Sequence, residues 1–190
     1  MSSDTVSVEV VDEDDEFTAL QVAGFLARKG KRVKYLGPLL KKWNHRIAEV
    51  LSEVLDEGGI ELTERGDVQF PECVPSEPFD FLHAKEDLSL SDFVFSAGDI
   101  VKGYPKLGEL AMRMGKHVAR VIKGRKTSFR PVIINVIKLT KGRAIYIKTD
   151  TPWGGKELVV KLSRFRYITK EFLERYYIIT NAKMGFLEKF

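Results

Sequence analysis

The sequence contains little cysteine and no long apolar run. Cys73 is the only cysteine among 190 residues, which excludes an internal disulfide framework and a cysteine-based metal cluster. No stretch approaches the ~20 apolar residues that span a bilayer, so we expect no membrane-spanning helix. The first twenty residues are acidic and contain no apolar core of a secretion signal. We therefore expect a cytoplasmic protein, either free or bound peripherally to the inner face of the membrane.

Histidine is also scarce, and its spacing indicates no metal site. His45, His83 and His117 are scattered without the i, i+4 pairing or carboxylate spacing of metal ligands, and no Ser–His–Asp arrangement can be argued. We predict no metal and no catalytic residue in this chain. His117 lies among bases in a predicted helix, where we expect it to face solvent. Cys73 lies among prolines and is predicted to be a plain loop thiol.

The net charge of +4 conceals a strong asymmetry between the two halves of the chain. Residues 1–99 carry a balance of −11, and residues 100–190 carry +15. A basic half attracts an anionic partner, such as lipid headgroups, a phosphorylated cofactor, an acidic protein face or nucleic acid. No nucleic-acid recognition module accompanies the charge, so we expect no nucleic-acid partner. The alternative is that the two halves compensate each other within one molecule.

The first half of the chain alternates short strands with helices. We predict strands at residues 6–11, 32–36 and 60–62, and helices at 16–28 and 43–55. This alternation predicts a parallel α/β unit. Three prolines among acids predict a loop over residues 66–92. A strand at 92–96 and a helix at 107–122 follow.

In the second half of the chain, the spacing of apolar residues changes to the pattern of consecutive strands. Strand patterns at residues 132–137, 144–148 and 157–161 predict an antiparallel meander, and a helix is predicted from residue 169 to about residue 181. The predicted fold class is α/β, with a Rossmann-like parallel-sheet remnant followed by the β-meander and a C-terminal helix. We predict a domain boundary at the transition, with domains at residues 1–124 and 125–190.

The most specific motif spans residues 93–115. An apolar segment ends in Ser96, Ala97, Gly98 and Asp99, and a Pro105-Lys106-Leu107-Gly108 run opens the next helix. This arrangement resembles the second flavin-contacting motif of the pyridine nucleotide-disulfide oxidoreductase superfamily, especially its sulfide:quinone oxidoreductase and type II NADH dehydrogenase branch. The resemblance in layout extends from about residue 6 to the end of the chain. An ordinary strand–turn–helix is the alternative interpretation.

The resemblance implies FAD as the cofactor and a set of contact residues. Gly98 would let the backbone approach the ribityl chain, and Asp99, at the carboxyl end of its strand, would accept hydrogen bonds from the ribityl hydroxyls. The helix that begins near Leu107 would direct its N–H groups at the flavin ring, where Lys106 would add positive charge. The implied cofactor-binding residues are Gly98, Asp99, Pro105, Lys106 and Leu107.

Two departures from the superfamily pattern limit this resemblance. Where a dinucleotide fold places its glycine fingerprint, the chain has five consecutive carboxylates at residues 12–16. Carboxylates there repel a pyrophosphate, so we expect no tight NAD(P) binding, and we predict a solvated acidic helix start. The superfamily's N-terminal glycine loop, which holds the ADP part of FAD, is missing as well. FAD binding is therefore expected only with a partner chain that supplies this segment, in a complex of different subunits or a homo-oligomer.

The C-terminal region, residues 165–190, interleaves aromatic and aliphatic side chains with bases. This pattern is typical of an amphipathic helix on an anionic membrane. In the quinone-reducing families that the chain resembles, the segment borders the quinone entrance. The alternative is a helix docked on the core with its bases in water.

Two functions follow from the sequence. One is a subunit or truncated paralogue of a flavin-dependent NAD(P)H- or sulfide:quinone-type oxidoreductase, which is not catalytic as a lone chain. The other is a non-catalytic scaffold protein that docks on a partner or an anionic membrane.

Overall fold

A parallel sheet forms the first half of the protein. The computed structural model describes residues 4–150 and 158–181. The elements of this half are β1 (Thr5–Val10), α1 (Glu16–Arg28), β2 (Arg32–Leu36), α2 (His45–Glu57), β3 (Ile60–Leu62) and β4 (Val68–Phe70). The strands lie in the order β3-β2-β1-β4, and every neighbouring pair is parallel. The predicted parallel α/β unit is confirmed.

Strand β4 lies inside the segment predicted to be a loop. It is only three residues long, and its pairing begins where Val8 of β1 lies opposite Val68. This short strand lies among prolines and acids that favour a loop, and no glycine pair marks its start as Gly58-Gly59 marks that of β3. The partner β1 decides the conformation of this segment, because it offers an edge with free backbone groups.

An antiparallel sheet forms the second half. Its strands are β5 (Ile133–Ile137), β6 (Ala144–Thr149) and β7 (Leu158–Ser163), in that order. The predicted meander is confirmed. Helix α3 (Gly108–Ile122) precedes this sheet and α4 (Arg164–Ile179) follows it. Helix α4 begins at Arg164, earlier than predicted, because the Ser163 hydroxyl accepts a hydrogen bond from the Arg166 N–H at 3.1 Å and caps the helix.

One hydrophobic cluster joins the two sheets. It contains Leu20 and Tyr35 from the first half and Ile137 and Ile145 from the second. Helix α1 links the halves through polar contacts as well, since the Gln21 side-chain amide donates to the Val136 carbonyl at 2.8 Å. The cluster therefore crosses the predicted boundary at residue 124, and the division into domains stays a prediction.

The strand predicted at residues 92–96 is wrong. This segment turns back on residues 88–90 through hydrogen bonds from Leu90 N–H to Val94 O (2.7 Å) and from Ser96 N–H to Leu88 O (3.0 Å). Only an isolated bridge between Ser89 and Phe95 forms, and Phe93 is 93% exposed. The apolar pattern is real, but no sheet among the described residues covers it.

Candidate functional site

Gly98 holds the loop that precedes α3 in a left-handed conformation. Its φ is +88°, a value that residues with a Cβ adopt only at a cost. The Gly98 N–H lies 3.2 Å from the Met114 sulfur, which places the loop against the middle of α3. A Cβ on Gly98 would lie 3.6 Å from the Ala111 Cβ, so backbone conformation, rather than space, requires glycine here.

Asp99 lies in an exposed turn. The Val101 N–H donates to the Gly98 carbonyl at 3.0 Å, which closes the turn around Asp99. The prediction that Asp99 ends a strand is therefore wrong, because residues 92–96 join no sheet. The Asp99 carboxylate forms no ion pair or hydrogen bond with any residue in the described part of the chain, so its oxygens are free to accept hydrogen bonds.

The start of α3 has unused hydrogen-bonding capacity. Leu107 is the cap residue, and no side chain caps the first N–H groups of the helix. A Cβ on Gly108 would meet open space. Within the described residues, the buried Ser96 hydroxyl and the buried Glu109 Oε2 have no hydrogen-bond partner. Buried polar atoms are normally paired, so these orphans fit a polar ligand at this loop.

Lys106 turns its ammonium group toward the parallel sheet. Its Nζ lies 3.1 Å from Asp15 Oδ2 and 3.9 Å from Asp12 Oδ2, and the side chains of Lys106 and Asp15 are each 11% exposed. Asp15 Oδ2 also accepts the Cys73 backbone N–H at 2.8 Å. The ion pair thus ties the loop before α3, which contains Pro105, to the carboxyl ends of β1 and β4.

A buried carboxylate closes the neighbouring loop, which follows β2. Glu16 is fully buried and accepts hydrogen bonds from the Tyr35 hydroxyl (2.8 Å) and from the N–H groups of Leu39 and Leu40 (2.6 Å each). Leu39 and Leu40 have φ values of 57° and 56°, a left-handed pair that directs adjacent N–H groups at one anion. Burial raises the pKa of Glu16, and burial together with the Glu16 charge raises the pKa of Tyr35.

The expectation of a solvated acidic helix start is wrong for Asp15 and Glu16, which are both buried. The sequence did not predict that these two acids hold loops in place, although Gly37-Pro38 signals an unusual turn at the carboxyl end of β2. The protein's own carboxylates thus occupy the start of α1, where a dinucleotide fold places a pyrophosphate.

His117 is buried, so the expectation that it faces solvent is also wrong. Its ring lies edge-on to Phe129, with ring centroids 5.4 Å apart. The signal was present in the sequence, because Leu110, Met114 and His117 follow helical spacing and form the buried stripe of α3. Cys73 is exposed in a loop. No group of metal-binding side chains occurs among the described residues.

Comparison with known proteins found no matching family model and no matching curated protein. Solved structures do match. A sulfide:quinone oxidoreductase from Aquifex aeolicus aligns with a TM-score of 0.64 and 11% identity, covering 94% of this chain and 58% of that one. An FAD-dependent pyridine nucleotide-disulphide oxidoreductase from Desulfovibrio vulgaris aligns with a TM-score of 0.51 and 14% identity, covering 77% of this chain and 49% of that one. An NADH:rubredoxin oxidoreductase from Clostridium acetobutylicum aligns with a TM-score of 0.52 and 13% identity, covering 78% of this chain and 46% of that one.

The chain has the fold of part of an FAD-dependent pyridine nucleotide-disulfide oxidoreductase. It spans about half the length of the solved structures that it matches. The resemblance predicted from the motif at residues 93–115 is confirmed at the level of fold. None of the described helices is long and apolar enough to cross a membrane.

Proposed function

We propose that the chain supplies the ribityl and isoalloxazine side of a flavin site in an NAD(P)H- or sulfide:quinone-type oxidoreductase. Another polypeptide segment holds the ADP end of FAD. The observation that carries this proposal is the left-handed Gly98 packed against α3, beside a helix start whose first N–H groups no side chain caps. The fold similarity to flavoproteins supports it.

Each residue of the loop has a defined task in this proposal. Gly98 admits the ribityl chain, Asp99 accepts hydrogen bonds from its hydroxyls, and the helix start after Leu107 stabilises negative charge on the reduced ring. Lys106 is a positioning residue, because its ion pair with Asp15 fixes the loop on the sheet. A bound flavin supplies the electron transfer, and the chain binds and orients it.

The lone chain is not catalytic in this proposal. The fingerprint position holds the Asp15 and Glu16 carboxylates instead of a glycine loop, and Glu16 ties down the loop after β2. This arrangement disfavours NAD(P), whose pyrophosphate needs free N–H groups at the same helix start. The electron donor is therefore bound outside this half of the sheet, and we propose quinone as the acceptor.

Purification of the tagged full chain from its natural host tests the flavin proposal. We expect a complex that shows flavin absorbance without added cofactor. Asp99→Ala should reduce the flavin recovered per chain at least about tenfold, since hydrogen bonds to a charged acceptor contribute about 1.5–3 kcal/mol. Asp92→Ala removes another exposed acid of the same segment and should not change recovery. A wild-type complex with its partner but without flavin contradicts the proposal.

A glycine pair separates flavin contact from folding. Gly98 and Gly30 have nearly equal φ values of +88° and +86°, so Gly98→Ala and Gly30→Ala impose the same kind of backbone strain. Only Gly98→Ala should lower flavin content at equal protein recovery. Equal flavin loss in both variants would assign the effect to stability alone.

A scaffold role on an anionic membrane is the second candidate, favoured by the surface of α4. No residue of α4 is buried, and Phe165, Ile168 and Phe172 form an exposed apolar stripe. Both acids of this helix, Glu171 and Glu174, pair with Lys138, which leaves bases at the helix surface. Apolar residues flanked by bases fit an anionic lipid surface.

Vesicle sedimentation tests this second role. The full chain should bind vesicles that contain phosphatidylglycerol, and Phe165→Ser with Phe172→Ser should weaken binding at least about tenfold, given ~25 cal/mol for each Å² of apolar surface buried. Phe25→Ser changes an aromatic residue on α1 that is about as exposed as Phe172 and serves as the control. Equal binding of all three proteins would rule out α4 as the contact.

A further inference from the structure

A cationic cleft opens on the face of the antiparallel sheet that α4 borders. Its volume is about 280 Å³, and its lining consists of Tyr146, Lys148, Val159, Lys161, Ser163 and Arg166. In the register of β6 and β7, Tyr146 lies opposite Lys161 and Lys148 opposite Val159. Side chains of directly opposed residues share one face of a sheet, so both lysines project to the same side.

No acidic side chain in the described part of the chain compensates the positive charge of this cleft. No acidic residue lines it, and neither Lys148, Lys161 nor Arg166 forms an ion pair with any acid in residues 4–150 and 158–181. The two lysines are diagonal neighbours across the strands, where like charges repel. A bound anion would relieve this repulsion.

Arg166 is held in place for such an anion. Its guanidinium lies over the Tyr146 ring at 4.3 Å, a cation–π contact that restricts the long side chain. The guanidinium N–H groups of Arg166 donate to no acceptor among the described residues, so they remain available. A guanidinium with two nearby ammonium groups suits a phosphate, which accepts bidentate hydrogen bonds from arginine.

The cleft is small, which narrows the ligand class. Pockets for drug-sized ligands begin at about 300 Å³. A volume of about 280 Å³ therefore suits a single phosphate with a small substituent rather than a whole dinucleotide. The apolar stripe of α4 begins at Phe165, two residues after Ser163 of the cleft, so the headgroup of a phospholipid bound at the stripe lies within reach of the cleft.

We propose that Lys148, Lys161 and Arg166 form a binding site for a phosphate group, either free or as the headgroup of an anionic lipid. Only the lipid source rests on the proposed membrane role. The site itself is independent of both proposed functions, because it uses no residue of the flavin loop and none of the apolar stripe.

Titration of the full chain with inorganic phosphate tests the site directly. We expect saturable NMR shifts of the Arg166 Nε–H and of the Lys148 and Lys161 amides, and no such shifts with chloride at equal ionic strength. Lys148→Gln with Lys161→Gln should weaken phosphate binding at least about tenfold. Lys116→Gln with Lys123→Gln removes equal charge from two exposed positions, one in the middle of α3 and one just after its end, and should bind as wild type does.

Vesicles with and without phosphatidylglycerol distinguish the sources of the phosphate. If the source is a lipid, the site variant should lose about thirtyfold in affinity for phosphatidylglycerol vesicles, and the control variant should lose less. Phosphate binding without vesicle binding assigns the site to a soluble phosphate and contradicts only the membrane role. If the site and control variants match in both assays, or if wild type binds neither phosphate nor vesicles, the proposed site is wrong.

Discussion

Two neighbouring loops of this protein differ in what satisfies their backbone N–H groups. After β2, the left-handed residues Leu39 and Leu40 donate to the buried Glu16 carboxylate. Before α3, the left-handed Gly98 lies beside a helix start that no side chain caps. A built-in anion therefore closes the first loop, while the second remains able to receive one. Left-handed residues thus serve folding in the first loop, and the proposed flavin site gives Gly98 a binding role in the second.

Removing the Glu16 carboxylate should give the largest loss of stability. Glu16→Ala leaves the Tyr35 hydroxyl and the N–H groups of Leu39 and Leu40 without an acceptor, and we expect the free energy of unfolding to fall by about 3 kcal/mol or more. Urea denaturation measures this loss. Glu13→Ala changes a nearby, more exposed acid and should lose less than about 1 kcal/mol. Equal losses would show that the first loop is not closed by Glu16.

Removing the ion pair between Lys106 and Asp15, which joins the loop before α3 to the parallel sheet, should give the next largest loss of stability. Lys106→Met leaves Asp15 with the Cys73 N–H as its remaining hydrogen-bond donor, and we expect a loss of about 2 kcal/mol because both side chains are largely buried. Asp15→Asn should lose a similar amount. In a double-mutant cycle, the combined variant should lose less than the two single losses added together. Strict additivity would mean that the contact does not couple the loop to the sheet.

Substitution of two glycines tests whether the loop before α3 requires a left-handed residue. Gly98→Ala should lower the free energy of unfolding by about 1–2 kcal/mol, because its φ of +88° disfavours a Cβ. Gly108→Ala lies at the start of α3 with open space around it and should be neutral or slightly stabilising. Thermal or urea unfolding compares the two variants. Neutral behaviour of Gly98→Ala would show that the loop does not require the left-handed conformation.

The smallest expected effect is a change with pH in the contribution of Glu16 to the free energy of unfolding. It is a second test of the loop after β2. Burial raises the pKa of Glu16 above its ordinary value of 4.5, so the folded state takes up a proton more readily than the unfolded state. The contribution of Glu16 to stability is therefore fully present below pH 4.5 and declines as the pH rises through the raised pKa. The difference in unfolding free energy between wild type and Glu16→Gln should shift in favour of the variant over this interval. A difference that is constant with pH would contradict the raised pKa.

Most of the elements could be predicted from local patterns. Helix α1 and strands β2 and β3 have the predicted bounds, because their apolar periods are long enough or their Gly boundaries sharp enough to be read. The errors share one cause. Strand β4 exists because it pairs with β1, whereas residues 92–96 pair with no strand of the two described sheets. Strand formation depends on a partner that a local pattern cannot reveal.

The candidate site could be predicted only in part. The sequence identifies Gly98, Asp99 and the helix that begins after Leu107, since glycine and a helix boundary leave local signals. The direction of the Lys106 ammonium was not predictable, because its partner Asp15 lies far away in the chain. The same holds for Arg166, whose place over Tyr146 depends on how α4 docks on β6.

The sequence by itself determined the parallel α/β half, the β-meander and the position of the glycine-containing loop, because these depend on periodicity and on residues with unusual backbone freedom. Only the tertiary structure decided which charges became buried. Glu16 and Asp15 are acids that a sequence places in water, yet the folded chain surrounds them with N–H groups and an ammonium group from distant segments. Burial of a charge depends on donors brought together by folding, so it becomes apparent only in three dimensions.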